Sequence, residues 1–329
     1  MTSPLRGRIV SMCAAIIVST ASTLVAQGPT FAPVGTIEGP ANLVEVNGSR
    51  AYIAGGKTLT LVDVSNPAAP TRLGAYTFPE KIWGFRIVGS LVYVAADFYG
   101  LGILDISNPA APVLRGSVKL PGQAKDVALV GTTALVADHM SGLDIVDVTN
   151  TAKPVQRDSF FLEGYARDVV SAGSIVYAID APAGIYVFDL SKQGPIEPIA
   201  SQQSARAPAS IELMKGSGTG ADLAVLVGGG MLQVYDVTKA AAPVQTATFR
   251  TPSGRPARAT MHGTRAYVAD SREGLQVVEL AKPSAPVLVG GFKTAEPARD
   301  VAVSDSFIFL VVGAAGEDEG EVLILKQTP

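Results

Sequence analysis

The sequence predicts an all-β fold, a seven-bladed β-propeller of four-stranded blades in which the N-terminal strand closes the ring. Three observations predict it. A short segment recurs along the chain, its copies have nearly constant spacing, and the residues between copies form short apolar runs separated by turn residues. A fixed period of this length, built from strand-like runs, is typical of propellers.

The recurring segment is clearest in its first two copies. Residues 61–70 read Leu-Val-Asp-Val-Ser-Asn-Pro-Ala-Ala-Pro and return at 103–112 as Ile-Leu-Asp-Ile-Ser-Asn-Pro-Ala-Ala-Pro. From Asp63 onward, successive acidic positions lie 42, 42, 42, 47 and 43 residues apart. These positions are Asp63, Asp105, Asp147, Asp189, Asp236 and Glu279.

The third repeat indicates how one period forms one blade. Its apolar runs at 126–130, 134–137, 143–148 and 155–161 are short and rich in β-branched residues, which favours strands. Turns separate them, since glycine accepts unusual backbone angles and proline leaves the sheet. By the same pattern, the innermost strands of the other blades begin near Asn42, Trp83, Arg167, Ser210, Arg258 and Arg299.

The two ends of the chain complement each other. The last repeat ends after the run 322–325, which is its third strand, and lacks a fourth. Residues 31–37 resemble a fourth strand. We therefore expect residues 31–37 to complete the last blade and to cover an edge that would otherwise promote aggregation.

The first 26 residues have the pattern of a secretory signal peptide. Arg6 and Arg8 precede an uncharged, mostly apolar stretch from Ile9 to Val25, and a small residue, Ala26, offers the cleavage site. A retained membrane anchor is the alternative, although the stretch is short for a span. Cleavage would remove Cys13, the only cysteine, and leave residues 27–329 as an exported propeller without disulfides.

The composition excludes some classes of partner. The chain is 47% hydrophobic and 17% charged, with a net charge of −3, so it can bury a large core. Nucleic acid is not expected, because binding it needs a concentrated basic surface. No segment after the leader is long and apolar enough to span a membrane.

The recurring Gly-Leu-x-Ile-Val-Asp-Val-Ser-Asn-Pro-Ala-x-Pro string resembles the LVIVD-repeat β-propeller family of exported bacterial and archaeal proteins. The strings at 59–70 and 101–112 carry the resemblance most closely, and it extends over residues 31–329. The fifth repeat departs by an insertion near 216–220, and the seventh has Leu325 at the acidic position. The resemblance implies the fold and an exported location, but no particular chemistry.

The repeated acidic residues could indicate a metal or catalytic site, but their position before a turn in each repeat does not favour one. The acidic residue of each repeat precedes a turn, where its carboxylate can accept hydrogen bonds from turn amides. The loop at 316–321 could hold calcium, but it lacks the spacing of a calcium loop. We therefore expect no cofactor, with a divalent metal as the alternative.

A ring of charge is predicted at the top face, the end of the propeller where each innermost strand begins. The starts of these strands and the loops between second and third strands share this face. The predicted ring at the channel mouth comprises Asp97, Lys125, Asp126, Asp138, Arg167, Asp168, Asp180, Arg258, Asp270, Arg299 and Asp300. It would either bind an anionic ligand through its arginines or hold the blades together.

Blades two to four interrupt this regular ring with large side chains. The interruptions are Trp83, Phe98, Tyr99, His139, Met140 and Tyr165. Exposed aromatic groups suit a peptide or a sugar, since rings give contact area with little loss of entropy. With Lys125 and Arg167 at the rim, they form the predicted binding surface, unless some of them pack between blades.

We therefore predict a monomeric, exported binding or scaffolding module for a protein or glycan partner at the cell envelope or outside the cell. The alternative is an enzyme at the channel mouth, such as a lactonase-like hydrolase that uses a metal and the acidic ring. Basic residues beside most of the carboxylates favour binding or a structural role over catalysis.

Overall fold

The fold is seen in a computed structural model, which describes residues 29–192, 194–204, 206–214, 223–305, 307–313 and 320–328. All regular structure within these residues is β-strand. The expected leader, with Cys13, lies outside them, as does the insertion near 216–220. None of the described residues forms a helix of the length and apolar character needed to cross a membrane.

The strands of the first three blades follow the N-terminal strand β1 (Thr30–Ile37). Blade one is β2 (Leu43–Asn47), β3 (Arg50–Gly55), β4 (Thr58–Asp63) and β5 (Thr71–Thr77). Blade two is β6 (Gly84–Val88), β7 (Leu91–Ala96), β8 (Gly100–Asp105) and β9 (Val113–Val118). Blade three is β10 (Asp126–Val130), β11 (Thr133–Ala137), β12 (Leu143–Asp147) and β13 (Val155–Phe160).

The remaining blades continue in the same order. Blade four is β14 (Tyr165–Ala172), β15 (Ile175–Ala181), β16 (Gly184–Asp189) and β17 (Pro198–Gln203). Blade five is β18 (Ser210–Met214), β19 (Leu223–Gly228), β20 (Met231–Asp236) and β21 (Val244–Arg250). Blade six is β22 (Pro256–His262), β23 (Arg265–Asp270), β24 (Gly274–Glu279) and β25 (Val287–Phe292). Blade seven contains β26 (Ala298–Ser304), β27 (Phe307–Gly313) and β28 (Gly320–Thr328).

The N-terminal strand completes blade seven. The strands of that sheet follow the order β1-β28-β27-β26, while the other six sheets are consecutive antiparallel meanders. Thr30 pairs with Thr328 and Ile37 pairs with Val322, with one bulge between Pro33 and Gly35. The predicted seven-bladed ring, closed by the first strand, is confirmed.

The hydrophobic core lies between blades. Each cluster of buried residues joins the facing sides of two neighbouring sheets; the cluster between blades one and two, for example, joins Leu59 and Leu61 to Val92 and Val94. Because each second and third strand is covered on both sides, its residues are almost all apolar. This explains the continuous apolar runs in the sequence.

The repeated Asp-x-Ser-Asn-Pro string forms the turn between third and fourth strands. The Asp105 carboxylate accepts a hydrogen bond from the Ser107 amide at 2.9 Å, and Asp147 accepts one from Thr149 at 2.9 Å. Bonds of this kind hold the pKa of Asp147 near 2, below its ordinary value. The repeated carboxylates are therefore structural, as predicted.

The same turn packs against the preceding blade, where a glycine of the fourth strand makes room for it. A Cβ placed on Gly116 of blade two would lie 2.5 Å from the carbonyl oxygen of Thr151 in the turn of blade three. Gly74 faces the Pro109 carbonyl of blade two in the same way, and Gly35 faces Pro67 of blade one. These glycines allow neighbouring blades to approach at the outer rim.

Candidate functional site

The innermost strands place one charged side chain per blade around the central channel. Side chains alternate along a strand, so positions two apart face the same side. The resulting channel ring consists of Glu45, Arg86, Asp126, Asp168, Glu212, Arg258 and Asp300. It lines a cavity of about 230 Å³.

Three aspartates of the channel ring connect neighbouring blades. Asp126 of blade three accepts a hydrogen bond from the Val169 amide of blade four at 3.2 Å. Asp168 accepts one from Ile211 of blade five at 2.9 Å, and Asp300 accepts one from Val44 of blade one at 2.9 Å. Since each bond satisfies a backbone donor in the channel wall, these aspartates support the ring of blades.

Members of the channel ring also interact electrostatically with one another. Arg86 lies 3.3 Å from a Glu45 oxygen and 3.8 Å from an Asp126 oxygen. Burial raises the pKa of Glu212 to about 8 and that of Asp300 to about 6, despite attraction to arginines. At neutral pH part of the acidic charge of the channel is therefore neutralised by protons.

Three of the loop aspartates predicted at the mouth are instead buried inside their own blades. Asp138, Asp180 and Asp270 are fully buried. Asp138 accepts a hydrogen bond from Gly122 at 2.6 Å and Asp180 accepts one from Gly164 at 2.9 Å, so each holds the segment that leads into the first strand of its blade. Asp270 accepts bonds from Ser253 and from the Arg272 amide. The predicted ring is therefore not continuous: Asp126, Asp168, Arg258 and Asp300 line the channel, whereas Asp138, Asp180 and Asp270 are buried in loops.

Asp97 occupies a different position from the other loop aspartates. It has a positive φ of 42°, as has His139 of the next blade with 41°. The Asp97 carbonyl accepts the Ala124 amide at 3.0 Å, and the His139 carbonyl accepts the Ala166 amide at 2.9 Å. Asp97 and His139 are therefore equivalent, and both lie where one blade meets the next on the top face.

Basic side chains gather at the mouth of the channel, where Arg258 of the channel ring takes part. The mouth pocket has a volume of about 540 Å³. Its lining consists of Asn42, Leu43, Lys81, Ile82, Trp83, Lys125, His139, Arg167, Ala209, Arg258 and Arg299. Five of these residues are basic, and in the described part of the chain none is a carboxylate. Of the predicted site residues, Trp83, Lys125, His139, Arg167, Arg258 and Arg299 are brought together here.

Trp83 stands between two lysines at the edge of the mouth pocket. Its ring lies 4.1 Å from the Lys125 ammonium and 4.9 Å from that of Lys81. Its indole Nε1 donates to Asp97 at 3.2 Å, and its side chain is 38% exposed. The ring is thus held in a fixed orientation and attracts both cations through its face.

Positive charge around the mouth pocket affects the groups within it. Burial and the nearby charges of Lys125 and Arg167 lower the pKa of His139, so its imidazole is neutral at pH 7. Burial, together with Arg167 and Lys81, lowers the pKa of Lys125 despite the opposing effect of Asp97. Added negative charge would stabilise both the ammonium of Lys125 and the imidazolium of His139.

The remaining predicted aromatic residues have different environments. Phe98 is 58% exposed and Tyr165 is 44% exposed, and the Tyr165 ring stacks on His139 with centroids 4.7 Å apart. Tyr99, in contrast, is half-buried and packs edge-on against Phe78. Tyr99 therefore anchors its loop, whereas Phe98 and Tyr165 face solvent.

Within the described residues, potential metal ligands do not converge. Among the described residues, no three or more His, Cys, Asp or Glu side chains come together in an arrangement that could hold a metal ion. The acidic loop at 316–321 lies mostly outside these residues.

Glu45, Arg86, Glu212 and Lys81 were not predicted from the sequence. The first three lie two residues after the channel-facing positions Leu43, Gly84 and Ser210, so strand alternation would have found them. The spacing of the repeat would also have shown that Asp97 is equivalent to His139, because Asp97 lies 42 residues before it. No comparable pattern indicates Lys81, which lies in a loop before β6.

Comparison with known proteins supports the sequence interpretation. The LVIVD repeat is matched at residues 38–77, 82–119, 121–160 and 260–294, which correspond to blades one, two, three and six. The chain therefore contains LVIVD repeats and is consistent with an LVIVD-repeat β-propeller. No curated protein matches the sequence.

Solved structures resemble the chain in fold. The β-propeller domain of Cps50 (Swd1) from Myceliophteria thermophila superposes with a TM-score of 0.71 at 13% sequence identity. The match covers 91% of this chain and 100% of that domain. At this identity the likeness establishes the propeller fold alone.

Proposed function

We propose that this propeller of LVIVD repeats is an exported binding module that holds an anionic group of its partner, a protein or a glycan, in the mouth pocket. The observation that carries the proposal is the lining of the pocket, in which Lys81, Lys125, Arg167 and Arg299 join Arg258 of the channel ring, and no described lining residue is an aspartate or glutamate. The mouth pocket thus concentrates positive charge on a protein whose net charge is −3.

The geometry favours binding over hydrolysis. The carboxylates that an acidic catalytic site would need lie deeper, in the channel ring, where Asp126, Asp168 and Asp300 already accept backbone hydrogen bonds. Glu45 is paired with Arg86. A catalytic carboxylate must be able to exchange protons with the substrate, and these groups are already engaged with backbone amides or Arg86 in the channel wall.

Binding of polyanion probes tests the proposal. A fluorescein-labelled polyglutamate peptide and a labelled uronate oligosaccharide would be titrated with the protein at low salt and followed by fluorescence anisotropy. We expect at least one probe to bind, with an affinity that falls as salt rises. The double variant Lys125→Gln, Arg167→Gln should weaken binding about tenfold or more, since each lost charge contact contributes roughly 1–2 kcal/mol.

A matched control separates the site from the general charge of the protein. Arg115→Gln with Arg157→Gln removes the same charge from the outer strands. That variant should bind like the wild type. Equal weakening by both double variants, or no binding of either probe, would contradict the proposal.

Export rests on the predicted leader and has its own test. Protein recovered from outside the cytoplasm should begin near Gln27 or Ser22 and lack Cys13, as N-terminal sequencing would establish. An intact Met1 on membrane-bound material would support the retained anchor instead.

A further inference from the structure

Large exposed apolar side chains gather on one part of the top face. Phe98, Met140, Phe161 and Tyr165 are 58%, 65%, 71% and 44% exposed, and we call them the apolar crescent. Together with Trp83, they include every exposed phenylalanine, tyrosine and tryptophan ring among the described residues. The other large exposed apolar residues are aliphatic, and nearly all lie on outer fourth strands such as β9 and β25. The crescent is thus a local feature of blades two to four.

The loops that carry the crescent are held firmly. Phe98 and Met140 follow the equivalent residues Asp97 and His139, whose positive φ angles are uncommon outside glycine. The carbonyls of Asp97 and His139 accept amides of the next blade, which fixes each loop against its neighbour. A conformation of this kind is unfavourable by itself and persists where the surrounding structure determines it.

Phe161 and Tyr165 belong to the same fixed surface. A Cβ on Gly142, which ends the Met140 loop, would lie 3.0 Å from the Cα of Phe161. The Tyr165 ring stacks on His139, itself a wall of the mouth pocket. The crescent and the mouth pocket are therefore continuous through His139.

We infer that the apolar crescent and the mouth pocket together dock an acidic segment of another protein, with carboxylates in the pocket and apolar side chains on the crescent. The inference rests on the proposed function and adds the class of partner. An acidic segment complements the charge of the basic residues that line the pocket. Phe98 and Phe161 can also stack on the face of a sugar ring, but Met140 has no planar face for such stacking, and all three match apolar peptide side chains.

A basic pocket beside exposed aromatic and methionine side chains is typical of a protein-binding surface. Aromatic residues and methionine are enriched where proteins bind one another, and a few such anchors supply most of the binding energy. The fixed loops reduce the entropy lost on binding, because the anchors are already oriented. The basic pocket would attract the acidic segment before contact.

Two peptides of equal length and equal glutamate content test the inference on the wild-type protein. In one, the glutamates are interspersed with serine and glycine; in the other, they are interspersed with leucine and phenylalanine. We expect the apolar peptide to bind about tenfold more tightly, a difference of about 1.4 kcal/mol. Equal affinities would overturn the inference but leave the anion-binding function in place, whereas failure of both peptides and of the uronate oligosaccharide to bind would contradict that function too.

Variants then test whether the apolar crescent causes the preference for the apolar peptide. Phe98→Ser, Met140→Ser and Phe161→Ser combined should abolish the difference between the peptides and leave binding of the serine–glycine peptide unchanged. Val113→Ser, Val244→Ser and Val287→Ser combined remove exposed apolar side chains from the outer strands and should preserve the difference. If the uronate oligosaccharide binds more tightly than either peptide, and the crescent substitutions leave its affinity unchanged, the partner is a glycan and the inference is wrong.

Discussion

The Asp300 carboxylate of blade seven accepts a hydrogen bond from the backbone amide of Val44 in blade one at 2.9 Å. The bond joins residues from opposite ends of the chain at the channel wall. Strand β1 joins the same ends at the outer rim, through its pairing with β28. The ring is therefore closed twice, once by a side chain at its centre and once by a strand at its edge.

Replacing Asp300 should reveal the contribution of the inner closure. Asp300→Ala leaves the buried Val44 amide without its acceptor, which should lower the free energy of unfolding by about 1–3 kcal/mol. Asp300→Asn keeps an acceptor oxygen, so it should lower the free energy of unfolding by less. Guanidinium denaturation of both variants measures the difference, and equal stability of Asp300→Ala and wild type would contradict the role of this bond.

Removal of the N-terminal strand should have a larger effect. A chain that lacks residues 27–38 loses β1 and exposes the edge of β28, so we expect a sharp fall in melting temperature or aggregation. The reference is a chain that starts at Gln27. Unchanged stability and solubility of the shorter chain would show that the outer closure is dispensable.

The glycine at the outer rim should tolerate no side chain. Gly116→Val places its Cβ against the Thr151 carbonyl of blade three, about 2.5 Å away before any shift, so the two blades must move apart. We expect a lower melting temperature by differential scanning calorimetry. Ser117→Val is the control, because Ser117 is the next residue of β9 and is exposed; comparable losses from the two variants would refute the packing argument.

The sequence was sufficient to predict the blades because each repeat carries its own strand and turn signals. In blade three, the predicted strands at 126–130 and 143–148 differ from β10 and β12 by at most one residue. The closure by β1 followed from a missing strand, which is also a property of the repeat. Periodic information therefore determines nearly all of this fold.

The candidate site was predicted less completely, since it depends on departures from the repeat. The exposed Trp83 and Phe98 stood out because they interrupt a pattern. The burial of Asp138 and the positive φ angles of Asp97 and His139 are matters of loop conformation that residue type does not encode. Tyr99 was grouped with Phe98 although its ring turns inward to Phe78. Adjacent loop residues diverge in this way because one side chain anchors the loop while the other faces solvent.

A buried carboxyl pair in blade three should make stability depend on pH. Burial and a hydrogen bond with Asp138 raise the pKa of Asp144 to about 8. The folded protein therefore keeps a proton that an unfolded aspartate, with a pKa near 3.9, would release. The stabilising contribution is present below about pH 4 and is lost as pH rises toward and through 8.

Asp144→Asn should accordingly flatten the pH profile of stability. The amide cannot titrate and can still accept the hydrogen bond from Gln156 Nε2, which is 2.6 Å long in the wild type. We expect little change in melting temperature at pH 5 and an increase of a few degrees at pH 9. Asp158→Asn, an exposed change on β13, is the control; a parallel shift of the whole profile in Asp144→Asn would contradict the assignment.

Trp83 should matter more for binding than for folding. Its side chain is more than a third exposed, so Trp83→Ala should destabilise the fold by less than the roughly 3–5 kcal/mol typical of a buried tryptophan. The ring orients Lys81 and Lys125 toward the mouth pocket, and its loss should weaken binding of the acidic apolar peptide by roughly 1–4 kcal/mol. Trp83→Phe keeps a ring but loses the hydrogen bond to Asp97. Its affinity for the peptide should therefore lie between those of the wild type and Trp83→Ala. Melting temperature and peptide affinity are measured on the same samples. A large stability loss in Trp83→Ala with unchanged affinity of the folded fraction would make Trp83 a packing residue and remove it from the binding site.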